Sequence, residues 1–167
     1  APWANALLFS GGGGGGGGIR IAGRKHVVNN SQFTSGAALP SYAECWRTTY
    51  QPVTAGNRIV AIGGGEFTST ENPIAYVNKR SICAQLQVSA DGGATWTQLG
   101  ARMDWTIEGS DNYEADGTME AVGEFVVPAG APPPLLSFRL VLGRGAGPTP
   151  SVGLYPDSFI NIIEYTG

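Results

Sequence analysis

Charge is scarce in this sequence. Only 14% of its 167 residues are Asp, Glu, Lys or Arg, against roughly 25% in an ordinary domain. The net charge is −3, which gives a nucleic-acid or membrane-surface role no global electrostatic support. Histidine occurs once, at His26, beside Arg24 and Lys25. A Ser-His-Asp site would have to use it, but no G-x-S-x-G turn is present and the neighbouring cations disfavour an imidazolium. His26 reads as structural or solvent-exposed. Cysteine occurs twice, at Cys45 and Cys83, with no C-x-x-C or Cys/His cluster. That spacing argues against structural zinc and favours two buried free thiols. No apolar run approaches the roughly 18–20 residues that cross a bilayer. The opening APWANALLFSG has no basic n-region and too short an apolar stretch for a signal peptide. Helix signal is also nearly absent, because glycine or proline interrupts most windows of helical length.

Glycine is abundant instead. There are 26, about twice the usual share of roughly 7%, and residues 11–18 are all glycine. There is no Gly-X-Y period, which excludes collagen. Hydrophobic residues make up 42%, including four Trp, six Tyr and six Phe, enough for the core of one domain.

Alternation of apolar and polar residues marks the strands. Strands are predicted over residues 43–50, 57–62, 74–91 (with 85–90 entering a hairpin), 95–99, 102–108, 119–127, 136–142 and 158–165. Asp91-Gly92-Gly93 joins two of them as a tight hairpin turn. The last strand is apolar on both faces, with Phe159, Ile163 and Tyr165 against Ile160 and Ile162. It should therefore be central in a sheet or buried against a partner. These spacings imply an all-β fold, an antiparallel jelly roll or β-sandwich over residues 41–167. Residues 1–40 read as an extended glycine-rich N-terminal arm.

Several constellations fail as chemistry. The glycine run contains G-x-G-x-x-G trivially, but Ile19-Arg20-Ile21-Ala22-Gly23 follows it where a phosphate-binding helix would have to open, and no G-K-[ST] is present. Asp111, Glu114, Asp116 and Glu120 could offer oxygens to calcium, yet their spacing does not fit an EF-hand loop. They could also be proposed as glycoside-cleaving acids, a pattern that any two carboxylates satisfy. Trp46, Trp96 and Trp105 could stack sugars but read better as fillers of a core or an interface. Pro132-Pro133-Pro134 is a short polyproline turn. No catalytic residue, cofactor site or metal site is expected.

Charge is unevenly placed. Residues 1–58 hold five bases and one acid, while residues 103–124 hold seven acids and no base. Two ends with different neighbours are the expected consequence. Ordering a run of eight glycines is costly unless something holds it. Glycine also lets backbones approach without a Cβ. The arm is accordingly expected to lie against neighbouring subunits or a shell through Gly11, Gly14, Gly18, Arg20, Arg24 and Lys25.

Three passages carry a family likeness: ICAQLQVSADGGATWTQLG (residues 82–100), GEFVVPAGAPPPLLSFRLVL (residues 123–142) and SFINIIEYTG (residues 158–167). With them the region from Tyr42 onward resembles the tumour-necrosis-factor-like and complement-head-like jelly rolls. These recur in trimeric phage virion proteins such as capsid decoration proteins and fibre heads. The resemblance implies a homotrimer with no catalytic residues. It implies a virion location on the capsid surface and a major capsid protein or other virion protein as partner. Its terminal strand (Phe159, Ile160, Ile162, Ile163, Tyr165) would lie at the subunit interface. The N-terminal arm departs from a free-standing head and suits a decoration, or cement, protein clamped to a shell. The alternative is a receptor-binding or carbohydrate-binding head of a fibre or tail, with a glycan as ligand.

Overall fold

Period-two alternation and glycine-marked turns produce strands almost everywhere. The computed structural model describes residues 19–70, 79–108, 114–145 and 151–166, and among them it forms ten strands and no helix. They are β1 (Arg20–Asn29), β2 (Phe33–Ser35), β3 (Ala43–Tyr50), β4 (Arg58–Thr70), β5 (Lys79–Ser89), β6 (Thr97–Glu108), β7 (Glu114–Val126), β8 (Leu136–Arg144), β9 (Ser151–Leu154) and β10 (Ser158–Thr166). All named pairings are antiparallel.

Two sheets face each other. One has the order β3-β8-β5-β6; the other runs β1-β10-β4-β7, with β9 and β2 also attached beside β4. This is a jelly-roll sandwich. The strands β9 and β10 lie along the same side of β4, and β2 and β1 lie along β9 and β10 in turn. Each is thus one long strand broken in the middle. The breaks are held by the Asp157 amide, which donates to the Asn29 carbonyl at 2.8 Å, and by the Tyr155 amide, which donates to the Glu66 carbonyl at 2.9 Å.

The core lies between the sheets. Ile59, Ala61 and Phe67 of β4 and Ile160 and Ile162 of β10 cluster with Ile82, Leu86, Phe138, Leu140 and Leu142 of the other sheet. Each large aliphatic or aromatic group so buried contributes about 1.5–3 kcal/mol. At one side the sheets close by backbone contact. A Cβ on Gly100 of β6 would meet the Val122 carbonyl oxygen at 2.0 Å, and one on Gly123 of β7 would meet the Gly100 nitrogen at 2.5 Å. Gly100 also has φ +69°, a conformation that suits glycine.

Three sequence expectations change. Residues 20–35, expected in an arm, form β1 and β2 and belong to the sandwich. Their alternation is obscured by a bulge between Ile21 and Gly23 and by an outward face that is partly apolar. Gly11, Gly14 and Gly18 lie outside the described residues. The strand expected to stop at residue 62 runs on through Gly63, Gly64 and Gly65 to Thr70. Neighbours occupy the space that side chains would need there: a Cβ on Gly63 would meet Leu86 at 2.9 Å, and one on Gly65 would meet Ser158 at 2.8 Å. The strands expected at 95–99 and 102–108 are one strand, β6, with a register shift opposite Ala84 and Leu86.

Candidate functional site

Among the described residues, the outer face of the β1-β10-β4-β7 sheet departs furthest from an ordinary solvated surface. Strand register places its outward residues in four rows across the sheet. Reading β1, β10, β4, β7, they are Val28, Phe159, Gly64, Glu120; then His26, Asn161, Ile62, Val122; then Arg24, Ile163, Val60, Glu124; then Ile21, Tyr165, Arg58, Val126. Nine of these sixteen positions carry an aliphatic or aromatic side chain. An antiparallel sheet with one solvated face ordinarily turns polar residues outward. Here Ile21 is 55% exposed, Val122 and Val126 are each 56% exposed, and Val28 is 41% exposed. So many apolar side chains on an outward face make it the candidate interaction surface of the described residues.

Polar groups frame the face. On the β1 edge His26 Nδ1 lies 2.6 Å from Asn161 Oδ1, with the Phe159 ring 6.3 Å away. On the β7 side Glu124 pairs with Arg58 at 3.1 Å. Arg24 on β1 and Glu120 and Glu124 on β7 stand on opposite sides of the apolar positions.

The residues expected at an interface divide by alternation. Phe159, Ile163 and Tyr165 point outward and are half-buried, whereas Ile160 and Ile162 are fully buried in the sandwich core. The last two are corrected from interface to core, because successive residues of a strand face opposite ways. Strand β10 itself is central, flanked by β1 and β4. The residues expected in a shell-attachment arm also separate. Arg24 is exposed on the outer face, and the backbone amide of Arg20 donates to Thr166 Oγ1. Lys25 instead points across to the second sheet, where its Nζ donates to the Thr49 carbonyl at 2.6 Å.

The outer face of the other sheet is polar. Arg139 donates to Gln87 Oε1 at 2.8 Å and to Glu44 Oε2 at 3.0 Å. Its guanidinium lies 3.9 Å from the centroid of the Trp96 ring, a stacked cation–π contact. Gln87 donates onward to Gln85, and Gln85 to the Tyr42 hydroxyl. Trp46 and Trp105 are elsewhere: both pack against the core, and Trp46 donates to Ser158 Oγ at 2.9 Å.

Sequence reasoning overlooked Glu164. It is fully buried, and its carboxylate accepts hydrogen bonds from the Tyr50 hydroxyl, the Val53 and Thr54 amides and the Asn57 amide group. Burial pushes its pKa up, but the hydrogen bonds outweigh burial and hold the carboxyl below the usual range. A glutamate at an inward position of an otherwise apolar strand was the available signal. Among the described residues no group of three or more His, Cys, Asp or Glu could hold a metal ion. Asp111 lies outside the described residues.

No protein-family model matches the sequence, and no curated protein matches it. Among solved structures, the sugar-binding C-terminal domain of EclA is similar at 10% identity and a TM-score of 0.42, covering 97% of this chain and 86% of that one. The Eiger TNF of S. frugiperda is similar at 11% identity and a TM-score of 0.45, with 84% and 90% covered. The infectious bursal disease virus Gt strain gives 10% identity and a TM-score of 0.42, with 86% and 32% covered. No site residue and no activity is carried over from them.

Proposed function

We propose that this chain is a virion structural protein, a capsid decoration protein whose jelly rolls assemble as trimeric knobs through the outer face of the β1-β10-β4-β7 sheet. The observation that carries this reading is the apolar character of that face, where Phe159, Ile163 and Tyr165 sit among exposed Ile21, Val28, Val122 and Val126. Covering such a face removes apolar area from water at about 25 cal/mol per Å². The virion setting and the major capsid partner rest on the sequence resemblance of residues 82–100, 123–142 and 158–167 to trimeric phage heads.

The test is the mass of the purified full chain in solution by light scattering, followed by co-sedimentation with empty phage capsids. A trimer that pellets with capsids is the expected result. A monomer at micromolar concentration overturns the assembly reading, and a trimer that stays in the supernatant overturns the decoration role. A glycan-binding head is the second reading. Its support is the polar outer face of the other sheet, where Arg139 stacks on Trp96 and is held by Gln87 and Glu44. Glycan-array binding by the wild type that Trp96→Ala abolishes would favour it.

A further inference from the structure

The rows of the apolar face are not symmetric about its centre, and the asymmetry specifies how copies of the chain meet. The row nearest the ends of β1 and β7 starts at Ile21 and finishes at Val126; the next starts at Arg24 and finishes at Glu124. Arg24 stands on the β1 side and Glu124 on the β7 side, three strand spacings away. At about 4.8 Å per spacing, the two edges of one sheet lie roughly 14 Å apart. These groups therefore do not meet within one copy.

Resting on the assembly reading above, we infer that the copies join in one direction only, the β1 edge of each against the β7 border of the outer face of the next, where β6 of the second sheet backs β7, with Arg24 level with Glu124 and Ile21 level with Val126. A rotation axis running along the strands preserves height, so it brings residues of one row to the same level in neighbouring copies. At that level cation meets carboxylate and aliphatic meets aliphatic. Joining like edges, β1 to β1 or β7 to β7, would oppose Arg24 to Arg24 or Glu124 to Glu124, and like charges in a closing interface select against that arrangement. Head-to-tail contact of two different edges is also what a closed ring of three requires, since a ring has no two-fold to pair identical edges. Glu124 already accepts Arg58 within its own chain at 3.1 Å. Its second oxygen can take a guanidinium from the neighbour.

Two measurements on the full chain test the direction. The first is oxidative crosslinking of Ile21→Cys, Val126→Cys and the variant with both. The edge separation forbids a bridge within one chain, because a disulfide needs Cα atoms less than about 7 Å apart. The double variant is expected to give a covalent ladder ending at the trimer, and each single variant to stay uncrosslinked. A dimer from Ile21→Cys alone overturns the inference. The second is the dissociation midpoint of Arg24→Glu, Glu124→Arg and the pair combined, with circular dichroism to confirm folding. Each single reversal is expected to weaken assembly about ten-fold or more, and the combination to recover it. A wild type that is trimeric with unaffected reversals overturns the edge pairing but leaves the assembly reading standing. A monomeric wild type overturns both.

Discussion

The Tyr50 hydroxyl donates a hydrogen bond to Glu164 Oε2 at 2.8 Å, inside the end of the sandwich where β3 gives way to the connection leading to β4. The same carboxylate receives the Asn57 side-chain amide at 2.7 Å and the Val53 amide at 2.9 Å. A single buried anion thus ties three parts of one connection to β10. The linkage has a definite sign. The folded-state pKa lies below the ordinary value of 4.5, so the stabilisation is complete above that pH and is lost as pH falls through the lower folded value. Glu164→Gln is expected to cost about 3 kcal/mol at neutral pH, since it leaves donors facing a group that cannot accept from all of them. It should also flatten the acid limb of the stability curve. Urea unfolding at fixed protein concentration, repeated from pH 7 downward, reads both.

Ile162 and Ile163 are adjacent in sequence and opposite in fate. Ile162→Asp places a charge in a fully buried site, and the chain is expected to be insoluble or unfolded. Ile163→Asp sits on the outer face and is expected to melt within a few degrees of the wild type while failing to assemble. Circular dichroism and light scattering on the two variants separate folding from association. A trimeric Ile163→Asp would show that the face is not the contact surface.

Much of the sandwich is legible in the sequence because inward and outward residues alternate cleanly where one face is wet. Leu136, Phe138, Leu140 and Leu142, and Ile82, Ala84, Leu86 and Val88, show the inward period, with Arg139, Gln85 and Gln87 among the residues between them, although Ser137, Val141 and Cys83 on the outward side are buried as well. Legibility fails where the outward face is itself apolar or where side chains are missing. Strand β1 carries Ile21 and Val28 outward among Arg24 and His26, so no period stands out. Strand β4 crosses Gly63, Gly64 and Gly65, which read locally as a breaker. Their reason lies in Leu86, Met119 and Ser158, distant in sequence and packed onto the strand. For the candidate site, β10 was visible as apolar on both faces. Which of its residues face outward required the pairing with β1 and β4.

The two cysteines are free thiols. Burial, reinforced by Glu44, pushes the Cys45 pKa up to about 12. Cys83 is also raised, by burial first and then by its hydrogen bond to Asp104. The thiolate is the reactive species, so neither should react in the native protein. A thiol titration at pH 8 is expected to detect almost none before denaturant and both after it. Rapid labelling of one thiol in the native protein would mean that its strand opens locally.

Gly92 and Gly100 allow backbone conformation and close approach to be weighed separately. Both have positive φ, +72° and +69°. A Cβ on Gly92 would meet nothing within 4 Å, whereas one on Gly100 would lie 2.0 Å from the Val122 carbonyl oxygen. Gly92→Ala therefore pays for the left-handed conformation alone, about 1 kcal/mol. Gly100→Ala pays that and must also push β6 away from β7, opening the closed side of the sandwich near Leu99. Its total cost is expected to be about 3 kcal/mol or more, in the range of other changes that overpack a tight contact. Thermal unfolding of the two variants side by side reads the difference. Equal losses would mean that the sheets part freely at this edge and that the glycine contact does not hold them.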